Sequence, residues 1–320
     1  MSDVVSKFAH FFYCPFTGLG LRNGYRGDTW LQHRIHIFKT FVLPSIMAQS
    51  RGPIVWISWR PEEQSNPIVQ AFQKSLNSIR GLSVIHTFHG VCFYDDKYDD
   101  AVAKQRLLAS LQGTLPELEV HVKDQDYVLM TIQPSDDMYL SFATDRIQAW
   151  AEKGQGVCGW KKGYIMNYAS KEVAEYSTVT WTQDHVSTYR TDTIPPFFTI
   201  KFPTGYFLNP QQHFDYTGPY RSHEYIADAL PFYDFGEERG FVVGTHGANI
   251  STVWNHRYKG RSLSPDEQAR VLLMTGTYYA DPIVIPPGAR HIARRILNVL
   301  PLEQSIRKVY NSLPSRWRIF

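Results

Sequence analysis

The sequence predicts an α/β fold built on a mostly parallel sheet. Two observations carry that expectation. Four short apolar runs, KFAHFFYCPF, PIVWISW, LSVIHTF and DYVLMTI, fall within the first 135 residues. Between them lie stretches whose apolar residues recur at helical spacing. A strand–helix–strand order of this kind needs crossover connections, which make neighbouring strands parallel.

The elements follow in order. KFAHFFYCPF reads as the first strand and GLGLRNGYRGD as a Gly-rich loop. In TWLQHRIHIFKTFVLPSIMAQS, Trp30, Leu31, Ile35, Ile37, Phe38, Phe41, Val42 and Ile46 keep close to a helical period, with Thr29 as N-cap. PIVWISW is the second strand, NPIVQAFQKSLNSI a helix, LSVIHTF the third strand, DDAVAKQRLLASLQG a helix and DYVLMTI the fourth strand. Further on, QGVCGWKKGYIMNY and STVTWTQ are β-rich, and TIPPFFTIKFPTGYF has the Pro-rich, aromatic composition of loops and edge strands. SHEYIADALPFY reads as a short helix and RGFVVGTHGANIST as a strand running into a turn. No internal repeat or low-complexity linker interrupts the chain, so a single domain is expected. Its first half runs over 1–140, a β-rich half over 141–290, and a basic tail over 291–320.

Composition removes several classes. A net charge of +3 on 320 residues is too small to argue for nucleic acid. Cys14, Cys92 and Cys158 are far apart and form no CxxC pair, which excludes a disulfide framework and a Cys-rich zinc site. No basic segment leads into a long apolar stretch at the start, and no run of about 18 apolar residues occurs. A cytoplasmic protein is therefore the expectation. The tail interleaves basic and apolar residues, a pattern that either packs on its own domain or touches a membrane surface. P-loop, GxSxG and HExxH motifs are absent, and no GxGxxG stands before a helix.

The chemistry is expected where the fourth strand ends in Gln133-Pro134-Ser135-Asp136-Asp137. In parallel sheets, ligands bind beyond the carboxyl ends of the strands. Two adjacent carboxylates there have three uses: holding a divalent cation, acid/base catalysis, or capping a following helix through Ser135 or Asp136. Oxygen ligands of this kind suit Mg²⁺ or Mn²⁺, which bind substrate phosphates at the same time.

RIHIFKTFVLPSIMAQS followed by PIVWISWRPEE resembles the opening of GT-A type glycosyltransferases, a Rossmann-like fold. The strand with Ser135-Asp136-Asp137 resembles their Asp-x-Asp nucleotide-sugar motif. RGDTWLQHRIHIFKTFVLPSIMAQS and THGANIS are similar, more narrowly, to the bacterial rhamnosyltransferase family, over roughly Phe11 to Arg257. Those relatives carry Asp-Ser-Asp-Asp, so Pro134 stands where their first Asp does, and Asp136 matches the second.

The resemblance implies transfer of a sugar, such as the deoxyhexose rhamnose, from a nucleoside diphosphate to a glycan or lipid-linked hydroxyl. It implies Mn²⁺ or Mg²⁺ on Asp136, Asp137 and His246, with Gly244 and Gly247 letting the backbone approach closely. It places Arg26, Asp28 and Ser135 near the nucleotide, with Asn249 and Ser251 in a turn that touches the diphosphate. From their own chemistry Lys161 and Lys162 would meet phosphates and Asp95 the ribose or base, unless they are simply solvated. Glu224 or Asp228, one helical turn apart, would be the general base of an inverting transfer, with His223 as its neighbour. Two other readings stay open: a glycan- or nucleotide-binding protein of the same fold without turnover, and a divalent-metal phosphoester hydrolase. The hydrolase would need further ligands after other strands, where the sequence offers His86 and His89.

Overall fold

The computed structural model describes residues 7–17, 27–91, 100–176, 195–217, 226–247, 254 and 259–285. The four expected strands are present as β1 (Phe8–Cys14), β2 (Ile54–Ser58), β3 (Ser83–Thr87) and β4 (Tyr127–Ile132). All four are parallel to their neighbours among themselves. Both faces of the sheet are covered, so β1 is apolar along its whole length rather than alternating. Phe12 and Cys14 enter the cluster on one face; Phe11 and Tyr13 enter that on the other.

Three helical segments cover the first face. They are α1 (Asp28–Ile37), continued by a π turn (Phe38–Val42) and α2 (Leu43–Met47); α3 (Pro67–Asn77); and, later in the chain, a helix at Ala143–Ala151. The π turn sits just before Pro44, which has no N–H to give to the carbonyl four residues back. Asn66 caps α3 by accepting from Ile68 N–H. For α1 the cap is Gly27 at φ 88°, two residues before the expected Thr29, which lies inside the helix. The second face is covered by α4 (Asp100–Val122), which runs past the expected end because Leu115, Leu118 and Val122 continue its apolar stripe.

The chain after β4 departs from expectation. No helix starts at Ser135 or Asp136. Instead β5 (Met138–Tyr139) follows, and α5 (Ala143–Ala151) begins beyond it, which removes the capping role from the aspartates. Next come β6 (Val157–Gly159), β7 (Tyr164–Asn167), β8 (Val173–Tyr176) and β9 (Phe198–Pro203). Contrary to the edge-strand reading, β9 is interior. It pairs antiparallel with β4 on one side and β6 on the other. Its prolines explain the misreading: Pro195 and Pro196 precede the strand, and Pro203 ends it.

Beyond β9, α6 (Thr204–Leu208), α7 (Pro210–Thr217) and α8 (Ile226–Ala229) pack on the second face through Phe207 and Ile226. Then β10 (Phe232–Asp234), β11 (Phe241–Thr245), β12 (Lys259–Ser262) and α9 (Pro265–Met274) complete the described chain. The large sheet has the order β10-β6-β9-β4-β1-β2-β3, with β9 its one antiparallel strand. Strands from both halves of the chain therefore share one sheet. A second sheet, β12-β8-β7-β11-β5, packs against the outer side of α1 and against α9 through Ile37, Phe41, Met166, Val242 and Val271. Helix α1 is thus wedged between two sheets.

The order β3-β2-β1-β4 reverses direction between β1 and β4. A crevice opens at the carboxyl ends of strands at such a switch point. Gln133 N–H donates to Tyr13 O at 2.8 Å and ties the chain leaving β4 to the end of β1. Asp136 and Asp137 follow directly.

Candidate functional site

The two aspartates face different partners. Asp137 is buried, and its Oδ1 accepts the N–H of Gly244 on β11 at 2.8 Å. Its carbonyl accepts from the Gln133 amide at 2.9 Å. Asp136, one residue back in a turn, points toward α1. Arg34 forms a salt bridge to its Oδ2, and His246 Nε2 lies 3.1 Å from the same atom. The side chains of Arg34 and His246 are 4% and 0% exposed, while that of Asp136 is 17% exposed. Three distant segments, after β4, on α1 and after β11, therefore converge on one carboxylate with a window to solvent.

Electrostatics separates the pair. Burial alone would raise the Asp136 carboxyl, but Arg34, followed by the His246 hydrogen bond, outweighs it and holds the group well below the usual carboxylate range. An ionised carboxylate only accepts, so His246 Nε2 carries the proton of that hydrogen bond. Asp137 goes the other way: burial first, then the charge on Asp136, push it well above its ordinary value. The adjacent carboxylates thus sit in opposite electrostatic settings, Asp136 favoured and Asp137 disfavoured as an ion.

Aromatic packing sets the position of His246. Tyr168, fully buried after β7, stacks on Phe41 with ring centroids 3.9 Å apart and lies parallel to the His246 ring at 6.2 Å. Its hydroxyl donates to Asp136 O at 2.7 Å. Gly244 makes the close approach possible. A Cβ there would sit 2.2 Å from the Tyr168 hydroxyl and 2.3 Å from Asp136 O.

The expected set of three metal ligands is not assembled. Asp137 turns toward Gly244, and among the described residues no group of three His, Cys, Asp or Glu side chains stands where it could hold a metal ion. A guanidinium already balances the charge of Asp136. As arranged, these residues do not fit Mn²⁺ or Mg²⁺. The extra ligands a hydrolase would need are engaged elsewhere: His86 Nδ1 accepts from Trp59 Nε1 at 3.0 Å, and His89 pairs with Glu117.

Other expected residues are placed apart from this point. Asp28 is exposed in the first turn of α1, where its carboxylate meets the Asn66 amide at 3.4 Å. Ser135 is half-buried in the turn beside Asp136. The Lys161 ammonium lies 6.0 Å from the Phe232 ring, and Lys162 pairs with Glu237 on the surface. Asp228 is exposed on α8, whose Ile226 packs on the face of the large sheet opposite α1. Arg26, Asp95, His223, Glu224, Asn249, Ser251, Cys92 and the tail at 291–320 lie outside the described residues.

Sequence reasoning passed over Arg34 and Tyr168. Arg34 left a readable signal, because Trp30, Leu31, Arg34, Ile37, Phe38 and Phe41 share the buried faces of one helix. A charge on such a stripe requires a buried partner. Tyr168 left none.

No family model matches the chain, and no curated protein does. Among solved structures it is similar to S. aureus TarS 1-349, at 11% identity and TM-score 0.34, over 74% of this chain and 60% of that one. A match to 4-diphosphocytidyl-2C-methyl-D-erythritol synthase has 10% identity and TM-score 0.34, covering 84% and 99% of the two chains. A match to mouse xyloside xylosyltransferase 1 has 11% identity and TM-score 0.26, over 48% and 52%. The chain thus spans about 60% of the TarS 1-349 it matches. Among the described residues no helix is long and apolar enough to cross a membrane.

Proposed function

We propose that the chain is a glycosyltransferase that binds a nucleoside-diphosphate sugar in the crevice at the switch point between β1 and β4. The observation that carries this reading is the convergence of Arg34 and His246 on Asp136 at the carboxyl edge of the parallel strands. A partly exposed, ionised carboxylate accepts hydrogen bonds from sugar or ribose hydroxyls. Arg34 and His246 hold it ionised and fix its position for that contact.

In the transfer, the bond from the anomeric carbon to the diphosphate oxygen breaks as the acceptor oxygen bonds to that carbon. The acceptor proton passes to a base. Glu224 holds that role in the proposal, since Asp228 is set on the face of the sheet opposite α1, and rhamnose is one donor sugar it accommodates. The acceptor is a glycan or lipid-linked hydroxyl.

Calorimetry with UDP, dTDP and GDP, each with Mn²⁺ and then with EDTA, tests the reading. The expected result is binding of one nucleotide that survives EDTA and weakens in Asp136→Ala and Arg34→Met. Binding that EDTA abolishes would return the metal to the site. Silence with all three nucleotides would overturn the proposal.

A further inference from the structure

A second cleft, sharing no residue with the Asp136 site, lies where α5 meets the edge strand β10. Two periodicities build it. Arg146 and Trp150, four residues apart, line the solvent side of α5, and Lys153 follows in the turn beyond its end. Tyr233 and Phe235, two apart, project from the same face of β10 and its continuation. The cleft between them is an open groove of about 640 Å³.

Its floor is aromatic and held in place. Phe235 packs on Trp160 with centroids 4.4 Å apart and meets Tyr233 edge-on at 5.5 Å. Trp150 lies over Gly154, where an added Cβ would come within 2.2 Å of the indole nitrogen. Tyr233 nevertheless remains 53% exposed.

Its rim is polar and incompletely paired. Arg146 donates from Nε and a terminal nitrogen to a single oxygen of Glu238, at 3.2 and 3.0 Å. The other Glu238 oxygen, the Lys153 ammonium, the Trp150 N–H and the Tyr233 hydroxyl have no protein partner among the described residues.

We infer that this cleft is a glycan-binding site that takes one pyranose unit against Tyr233 and Trp150. A pyranose combines an apolar face of C–H bonds with a girdle of hydroxyls. The ring faces match the first, and the carboxylate oxygen, ammonium and N–H match the second. A protein surface seated here would bury Lys153 and the free Glu238 oxygen and would have to supply partners for both. Strand addition at β10 gains little, because the edge is three residues long. The site would hold a glycan away from Asp136, whether or not that residue serves sugar transfer.

Saturation-transfer NMR with maltotriose, cellotriose and chitotriose tests this on the full chain. The expected result is transfer to the pyranose C–H protons of at least one trisaccharide, with a Kd of about 1 mM. Tyr233→Ala weakens it about tenfold, a change at an exposed ring that leaves folding intact, and Tyr279→Ala, exposed elsewhere, leaves it unchanged. Excess UDP, dTDP or GDP also leaves it unchanged, which separates this site from nucleotide binding. No transfer to any of the three, or transfer indifferent to Tyr233→Ala, would overturn the proposal. So would self-association by light scattering that Tyr233→Ala abolishes, since the face would then be a protein contact.

Discussion

Arg34 on α1 and Asp136 beyond β4 form an ion pair with side chains only 4% and 17% exposed, and His246 shares the same carboxylate oxygen. Breaking a buried pair from one side strands the other charge. Arg34→Met is therefore expected to cost about 3–5 kcal/mol of stability. The double variant Arg34→Met/Asp136→Asn should recover part of that loss, since no charge is left unpaired. Urea unfolding of the three proteins measures it; equal stability of the single and double variants would show that the charge is not what matters.

Asp137 serves the fold through Gly244 N–H, so its replacements should split by hydrogen bonding. Asp137→Asn keeps an acceptor and a neutral group, and should stay within about 1 kcal/mol of the parent. Asp137→Ala strands a buried N–H and leaves a void, at a cost of about 2–3 kcal/mol. Were Asp137 a cation ligand, Asn would abolish metal-dependent nucleotide binding while sparing stability. Calorimetry on Asp137→Asn distinguishes the two.

Gly244→Ala places a methyl against Asp136 O and the Tyr168 hydroxyl, neither of which can retreat without moving the site. The expected outcome is loss of about 2 kcal/mol or more with loss of nucleotide binding. Removing the hydroxyl with Tyr168→Phe in the Gly244→Ala background relieves one contact and not the other, so rescue should be partial.

His213 gives a pH dependence. It is buried on α7, its Nδ1–H donates to Phe207 O at 2.9 Å, and burial lowers its pKa from 6.5 to about 4. Between those values the unfolded chain binds a proton that the folded chain does not, so stability falls as pH drops through this window. From about pH 7.5 to pH 5 the parent should lose about 2 kcal/mol more than His213→Gln, which has no such proton to take up. Identical losses in denaturant titrations at the two pH values would refute the assignment. Comparing the difference between the two proteins cancels the opposing contributions of Glu63 and Asp137, whose values burial raises.

The first four strands and the helices between them were legible because buried parallel strands are near-continuous apolar runs and amphipathic helices repeat their stripes. So was the position of Asp136 at a strand end. The second half was harder. Strand β9 looked like a loop, since its flanking prolines carry a turn signal while its interior place depends on pairing with β4 and β6, strands well separated from it in sequence.

The sequence by itself determined a mostly parallel sheet with a carboxylate at its carboxyl edge, because local periodicity and chain order suffice for both. Only the tertiary structure decided which aspartate faces a cation and which is held away from ionisation. Arg34, Asp136, Tyr168 and His246 come from four separate segments, and their meeting depends on α1 being wedged between the two sheets. A pattern within one segment cannot encode a distance between four. Charge follows distance: burial and a neighbouring ion set the state of each carboxylate, and both exist only once the chain has closed around them.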